Sequence, residues 1–195
     1  MKTKINKIIL SLLILIFGFS ACKENYTPKP RGYFRIDLPE KAYQNFDSTG
    51  FPYSFRYPDY ATLSNDPYAP EQKYWLNINF PSFKATIHLS YRPVKNDLAT
   101  ILDDAHTLVA QHISKADAIY DSLIIRPEEK VYGLVFDIEG IGVASPYQFY
   151  VTDSTQHYLR GALYFNTHPN NDSLKPVIEF LKKDIDTLLM SLKWK

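Results

Sequence analysis

Few residues of this chain have the type and spacing that covalent or metal chemistry requires. The 195 residues include one cysteine, Cys22, and five histidines. A lone cysteine forms no disulfide within its own chain, so its thiol is available for attachment or modification. Phosphate-binding glycine loops, nucleophile elbows and the His-Glu-x-x-His zinc motif do not occur in the sequence. Cys22 is therefore the residue most clearly suited to covalent chemistry.

Asp153, Ser154 and His157 supply the residue types of a hydrolytic triad within one polar stretch. Nucleophilic catalysis needs a serine and a histidine that face each other across a pocket, with a third group that orients the base. Adjacent residues in a turn do not provide that arrangement, and Asp and Ser are favoured in turns because they bond to their own backbone. We interpret the stretch as a hairpin turn and predict no catalytic residue. A glycosidase-type pair of carboxylates from distant parts of the chain is the alternative that the sequence leaves open.

The histidines give no clear metal site. His106 and His112 fall in one predicted helix, but six residues of separation turn their side chains about 240° apart around the axis. Asp103 shares a helix face with His106, and a further ligand has to come from His88 or a distant acid. We therefore predict no metal site, and we interpret His112 as a partly buried structural residue on the apolar stripe of the helix.

The residues before Cys22 are typical of a signal peptide. Three lysines precede an uncharged apolar run of 12 residues, from Ile8 to Phe19. As a helix this run spans about 18 Å, which is short of the roughly 30 Å of hydrocarbon in a bilayer. The next residues, Phe19-Ser20-Ala21-Cys22, resemble a bacterial lipobox, with Phe in place of the commoner Leu.

The lipobox resemblance implies cleavage before Cys22 and attachment of a diacylglycerol to its sulfur, usually with a further acyl chain on the new N-terminus. Several chains hold a protein firmly, since each buried methylene contributes about 0.8 kcal/mol. Removal of residues 1–21 takes away three lysines and no acid, which leaves 19 basic and 21 acidic residues. This balance gives no basic excess for nucleic acid or anionic lipid, so the lipid on Cys22 is the expected anchor. An unlipidated secreted protein is the alternative.

The segment after Cys22 begins as a spacer and then becomes patterned. Residues 23–30 include two prolines and favour an extended path. Polar and apolar residues alternate over 31–39, which is the period of a strand with one apolar side. One interpretation is a docking strand that presents charged and aromatic side chains to a partner, and the other is a segment pinned to the domain by its apolar side. The docking interpretation assigns partner binding to Arg31, Tyr33, Arg35 and Asp37.

Seven further segments predict strands, because they are short, aromatic or β-branched, and bounded by proline or polar turns. They are residues 51–58, 74–80, 84–91, 118–125, 131–138, 146–151 and 157–165. The link Pro81-Ser82-Phe83 predicts a hairpin between the second and third of them.

Helical spacing of apolar residues predicts two helices. The first is capped by Asn96 or Asp97 and runs to Ile113, and the second begins near 171–173 with Pro176 in its first turn. The second stripe is typical of a helix packed on a sheet, with a coiled-coil partner helix as the alternative.

The order of these elements predicts an α+β domain, with a mostly antiparallel sheet of about six to seven strands and two packed helices. The order is similar to that of PsbP and Mog1-like domains, an analogy of architecture that carries no function. We divide the chain into a signal peptide (1–21), a lipidated N-terminus and extended tether (22–39), and a single α+β domain (40–195).

Longer stretches carry a family resemblance: Tyr-Thr-Pro-Lys-Pro-Arg-Gly-Tyr-Phe-Arg-Ile-Asp-Leu-Pro over 26–39, Phe-Arg-Tyr-Pro-Asp-Tyr-Ala over 55–61, Gln-Phe-Tyr-Val-Thr-Asp-Ser over 148–154, His-Tyr-Leu-Arg-Gly-Ala-Leu-Tyr-Phe over 157–165 and Ser-Leu-Lys-Trp over 191–194. With the lipobox, they resemble the gliding motility lipoprotein GldD family of Bacteroidetes. The resemblance implies a cell-envelope lipoprotein needed for gliding and associated with the type IX secretion and motility machinery. It brings no catalytic residue and no cofactor beyond the lipid on Cys22.

We therefore expect a non-enzymatic assembly or stabilising component, anchored by lipid in the outer membrane, whose partners are the membrane and other gliding and secretion proteins of the envelope. An envelope glycan-binding module or hydrolase is the alternative, because the chain has 15 tyrosines and many scattered carboxylates. A cleft with an aromatic platform or convergent acids is the feature that favours the alternative.

Overall fold

The computed structural model describes Gly32 and residues 35–195, where ten strands and two helices follow one another. The strands are β1 (Tyr43–Phe46), β2 (Tyr53–Pro58), β3 (Thr62–Asn65), β4 (Leu76–Phe80), β5 (Ala85–Pro93), β6 (Ala118–Arg126), β7 (Val131–Glu139), β8 (Tyr147–Thr152), β9 (His157–Phe165) and β10 (Lys193–Trp194). The helices are α1 (Leu98–Ala110), between β5 and β6, and α2 (Asn171–Ser191), between β9 and β10.

Seven strands form one antiparallel sheet in the order β3-β4-β5-β9-β8-β7-β6, and a small antiparallel sheet has the order β1-β2-β10. The predicted α+β class is confirmed. The seven predicted strands correspond to β2 and β4–β9. The strands β1, β3 and β10 were not predicted, because strands of two to four residues are too short to show a period.

Two hairpins of the large sheet share the same tight link. A 3₁₀ turn over Pro81–Phe83 joins β4 to β5, as predicted, and a second over Pro127–Glu129 joins β6 to β7. Each turn begins with proline, whose fixed φ suits this geometry. A lysine then takes a left-handed conformation, Lys84 at φ 49° and Lys130 at φ 52°.

The main core lies between one face of the large sheet, α2 and the small sheet. The apolar stripe of α2 packs on the sheet as predicted, and Leu181 and Ile185 are fully buried there. Aliphatic and aromatic side chains from the strands complete this core: Tyr53, Phe55, Ile78, Phe80, Ile87, Leu89, Phe149, Val151, Leu159 and Leu163. We call this side of the large sheet the α2 face.

The opposite side, the α1 face, has a smaller core. Ile101, Ala105 and Val109 of α1 pack with Phe136, Ile138, Val143, Tyr150 and Tyr158. These partners belong to β7, β8, β9 and the loop after β7, so the apolar contacts of α1 leave β4 and β5 uncovered. Among the described residues, no helix is long and apolar enough to span a membrane.

The helix ends differ from the prediction. The α1 helix ends at Ala110 because the N–H groups of His112 and Ile113 bond to carbonyls three residues back, which tightens the chain into turns. His112 therefore lies beyond the helix, and Ile113 is 63% exposed.

The α2 helix begins at Asn171, within the predicted 171–173, but Pro176 does not lie in its first turn. The backbone N–H of Asn171 bonds to the Ile141 carbonyl, and its side-chain amide bonds to the carbonyls of Gly140 and Val143. These bonds fix Asn171 at the helix start, so Pro176 lies in the second turn and removes one helical hydrogen bond there.

Candidate functional site

The predicted partner-binding residues fall on both sides of the boundary of the described chain. Cys22, Arg31 and Tyr33 lie outside the described residues. Arg35 and Asp37 form an ion pair of 3.2 Å with side chains that are 91% and 88% exposed. Such an exposed pair contributes little to folding, so both charges are available to a partner.

The strand predicted over 31–39 is wrong for the described residues 35–39, which form no ladder with any other strand. Ile36 instead packs its side chain against the main core. Packing of one apolar side chain, followed by Pro39 with no N–H to donate, holds the segment without strand pairing.

A buried cluster holds the chain where it enters the domain. The carboxylate of Asp184 on α2 is 1% exposed and accepts hydrogen bonds from Lys41 Nζ (2.6 Å), Tyr43 OH (2.9 Å) and Tyr60 OH (2.6 Å). Lys41 Nζ also donates to the Phe180 carbonyl and lies 3.2 Å from the centre of the Phe180 ring. We call these five residues the entry cluster. It ties the first residues of the domain to the last helix.

Burial sets the titration of the entry cluster. Desolvation lowers the pKa of Lys41, although its hydrogen bond with Asp184 opposes the shift. Desolvation and the neighbouring carboxylate both raise the pKa of Tyr60, so its hydroxyl stays a donor. This cluster was not predictable from local sequence patterns, because its members are separated by up to 143 residues.

A groove of about 330 Å³ opens on the uncovered part of the α1 face. One wall is α1, and the other is the connection from β3 to β4. The floor comes from β5 and β9. Its lining includes Asp66, Trp75, His88, Ser90, Arg92, Ile101, Asp104, Leu108, Tyr158, Arg160, Ala162 and Tyr164. A volume of this size lies at the lower end of the range for small-molecule sites, about 300 to 1,000 Å³.

The register between β5 and β9 arranges the side chains of the groove floor in a regular array. Ser90 on β5 pairs directly with Arg160 on β9, with His88 opposite Ala162 on one side of this pair and Arg92 opposite Tyr158 on the other. Alternate residues of a strand share a face, so all six side chains project to the same side of the sheet. The two strands pair with each other along the whole floor, and each pairs with a further strand over part of its length, so the floor offers mainly side chains.

Arg160 is a half-buried cation without a counter-charge among the described residues. Its Nη2 donates to Gln148 Oε1 at 2.5 Å, which is a neutral amide. Gln148 is 1% exposed, and its Nε2 finds no hydrogen-bond partner in the described part of the chain. Arg92 differs, because it bonds to Asp97 (2.9 Å) and lies 3.7 Å from Asp104. Among the described residues, the groove therefore has one arginine in ion pairs and one that makes none, and its walls also carry the carboxylates of Asp66 and Asp104.

The other polar groups of the groove include donors and acceptors. His88 Nδ1 donates to Asn77 Oδ1 at 2.8 Å, which leaves Nε2 as an acceptor on the neutral ring. Burial lowers the pKa of His88 and favours that neutral form. Within the described residues, the hydroxyls of Ser90, Tyr158 and Tyr164 have no hydrogen-bond partner.

Aromatic rings provide the apolar part of the groove. Trp75 Nε1 donates to the Tyr91 carbonyl at 3.0 Å, which fixes the indole at the wall. The Tyr164 ring meets the His88 ring edge to face, with centroids 5.7 Å apart. The groove thus combines an arginine, hydroxyls, a neutral imidazole and aromatic surfaces, which suits the binding of a small polar ligand rather than a chemical step.

The sequence prediction did not single out these groove residues. The signal was present in β5 and β9, where polar residues alternate with buried apolar ones: His88, Ser90 and Arg92 between Ile87, Leu89 and Tyr91, and Tyr158, Arg160 and Tyr164 among Leu159, Leu163 and Ala162. Alternation indicates a polar face, but it does not tell which part of that face a helix leaves open.

Asp153 closes the turn between β8 and β9, so the hairpin interpretation is confirmed. Its Oδ1 accepts from three successive backbone N–H groups, those of Thr155, Gln156 and His157. Burial raises the pKa of Asp153, but these bonds outweigh it and lower the pKa to about 2. His157 Nδ1 bonds to Tyr91 OH at 2.8 Å, and its ring stacks on Trp194.

The described residues contain no cluster of three metal-ligating side chains. His106 is exposed on α1, and its ring contacts the edges of Phe136 and Tyr150. His112 lies near the end of α1 and bonds to the Leu108 carbonyl.

Among curated proteins, none matches the chain. A solved structure that is similar is the solution structure of cyanobacterial PsbP from Synechocystis sp. PCC 6803, with 13% sequence identity and a TM-score of 0.46, over 83% of this chain and 98% of that one. The family model of the gliding motility lipoprotein GldD matches residues 23–194. The chain therefore belongs to the gliding motility lipoprotein GldD family.

Proposed function

We propose that this protein is a non-catalytic component of the gliding and type IX secretion machinery, which assembles or stabilises that machinery by contact. The family match over residues 23–194 carries the proposal. The chemistry of the domain is consistent with it, because the Asp153 carboxylate holds a turn and the His157 imidazole bonds to a buried tyrosine. We further propose that the protein contacts other envelope components through the groove on the α1 face and through the exposed pair Arg35 and Asp37.

The proposed anchor is lipid on Cys22, and the proposed location is the outer membrane. The lipobox and the family description support a lipid-anchored envelope protein. The test is fractionation of cells that express Cys22→Ser in place of the natural protein. The variant should fold with an unchanged melting temperature and leave the membrane fraction, because the anchor lies outside the domain core. Retention of the variant in membranes after a high-salt wash contradicts the anchor.

The assembly role is tested by purification of the tagged full-length protein from envelope membranes, after crosslinking in living cells. The expected result is co-purification of other envelope proteins, together with defective secretion and gliding in a deletion strain. A protein recovered alone, from a strain whose deletion leaves secretion intact, contradicts the role in the machinery.

A glycan-binding module is the second candidate, and the groove is the observation that favours it. Trp75 and Tyr164 supply an aromatic platform beside hydrogen-bonding groups of both kinds. That is the cleft expected of a sugar site. The two carboxylates of the groove, Asp66 and Asp104, lie on its walls, where Asp66 accepts from the Tyr68 N–H and Asp104 lies 3.7 Å from Arg92.

A further inference from the structure

We propose that the groove on the α1 face binds a carboxylate-bearing sugar, of the uronic acid class, with Arg160 as the residue that receives the carboxylate. The inference rests on the proposed function in one respect only, that the groove is a binding surface. It does not depend on the role in gliding or on the lipid anchor.

The negative charge of the ligand follows from Arg160. The Arg160 guanidinium is half-buried, and the one acceptor it has among the described residues is a neutral amide oxygen. The neighbouring Arg92 is paired with two carboxylates, those of Asp97 and Asp104, so the two arginines of the groove differ in their ion pairing. The planar guanidinium matches a carboxylate with two parallel hydrogen bonds. An anion at Arg160 therefore completes the site.

The buried amide of Gln148 holds Arg160 in place. Its oxygen accepts a hydrogen bond from the guanidinium, and Gln148 belongs to the neighbouring strand β8. Gln148 does not line the groove, so its bond fixes where the Arg160 guanidinium lies without itself contacting a ligand.

The walls of the groove and the side chains on its floor indicate what the rest of the ligand is. The faces of Trp75 and Tyr164 suit the C–H groups of a sugar ring, and the hydroxyls of Ser90 and Tyr158 suit its hydroxyls. His88 adds an acceptor. On the groove floor β5 pairs with β9 along its whole length and with β4 as far as Leu89, and Trp75 Nε1 bonds to the Tyr91 carbonyl, so few backbone groups are left for a peptide. The aromatic walls and the hydroxyls therefore favour an acidic sugar over an acidic peptide.

The test is calorimetric titration of the full-length protein in detergent with a trimer of galacturonic acid. The neutral galactose trimer, acetate and a tetraglutamate peptide are titrated in parallel. We expect the acidic trimer to bind most tightly. Arg160→Gln should weaken it about 10- to 100-fold, the range for a hydrogen bond to a charged group. Arg160→Gln should leave the weaker binding of the neutral trimer unchanged.

Two further variants keep the test decisive. Arg56→Gln, a matched change at an exposed arginine outside the groove, should leave all affinities unchanged. Tyr164→Leu removes a half-buried ring whose hydroxyl has no partner in the described fold, and it should weaken both trimers. Should Arg160→Gln fail to fold by circular dichroism, Tyr164→Leu still tests the site.

The proposal is overturned if the acidic trimer does not bind, or if a folded Arg160→Gln protein binds it with unchanged affinity. Acetate binding as tight as that of the trimer indicates a simple anion site and also overturns it. Tighter binding of tetraglutamate contradicts the preference for a sugar over a peptide. If the acidic trimer does not bind but envelope proteins still co-purify with the protein, the sugar-binding proposal is contradicted and the proposed assembly role is not.

Discussion

The α2 face of the large sheet is closed by apolar side chains across β4, β5, β7, β8 and β9, whereas the α1 face is closed only where α1 lies. Both faces come from the same strands, since alternate residues point to opposite sides. Leu89 and Leu159 fill the main core, while their neighbours Ser90 and Arg160 line an open groove. The same strands therefore do two things. Their side chains on the α2 face stabilise the fold, and those on the uncovered part of the α1 face are exposed and line the groove.

The largest effect is expected on the closed face. Leu181→Ala removes a fully buried side chain from α2 and leaves a cavity, so the free energy of unfolding should fall by about 3 to 5 kcal/mol. Met190→Ala, on the exposed side of the same helix, should change it by less than about 0.5 kcal/mol. Urea denaturation measures both. Equal effects at the two positions would mean that α2 does not pack as described.

The entry cluster should give the next largest effect. Asp184→Asn leaves the Lys41 ammonium beside a neutral amide in a poorly solvated place, so unfolding should become easier by about 2 to 4 kcal/mol. Replacing both residues, as Lys41→Met with Asp184→Leu, should recover part of that loss because no unpaired charge remains. Asp37→Asn at the exposed pair is the control, with little expected change. A double variant less stable than Asp184→Asn speaks against a charge-pairing role.

Acid should weaken the hairpin that joins the two central strands. The pKa of Asp153 is about 2 in the folded protein, below the ordinary value near 4 of an unfolded aspartate. Its stabilisation is complete above about pH 4 and is lost as the pH falls through about 2. The carboxyl is partly exposed, so we expect a loss of about 1 kcal/mol. Denaturation at pH 5 and pH 2.5 measures it, and Asp153→Asn should remove this part of the pH dependence. An identical pH dependence in the variant contradicts the assignment.

The smallest effect on folding is expected in the groove. Ser90→Ala removes a hydroxyl that has no partner in the described fold, so the free energy of unfolding should change by less than about 0.5 kcal/mol. Thermal unfolding of the variant provides the measurement. A loss above about 1 kcal/mol places the hydroxyl in the structure of the fold rather than at a binding surface.

Much of the closed face was predictable from the sequence. Leu181, Ile185 and Leu188 repeat at helical spacing, and Ile87 and Leu89 alternate with polar residues, so local periodicity identifies α2 and β5. The end of α1 was not predictable in this way. Apolar residues continue to Ile113, while tight turns after Ala110 end the helix before the pattern does.

The groove and the entry cluster depend on contacts between distant parts of the chain. Ser90 and Arg160 become neighbours only through the pairing of β5 with β9, and Lys41 meets Asp184 only when α2 packs. Periodicity indicates that β5 has a polar face, but the length of α1 decides which part of that face stays open. Sequence patterns therefore predicted the elements and missed the site that they form together.

We expect the open part of the α1 face to be the surface through which this gliding motility lipoprotein acts. Its most direct test is the gliding speed of cells in which the only copy carries Ser90→Trp, which fills the groove, or Met190→Trp, which adds the same side chain to the exposed side of α2. At equal protein levels in the membrane, Ser90→Trp should abolish gliding and Met190→Trp should leave it at the natural speed. Gliding at the natural speed with Ser90→Trp contradicts the account.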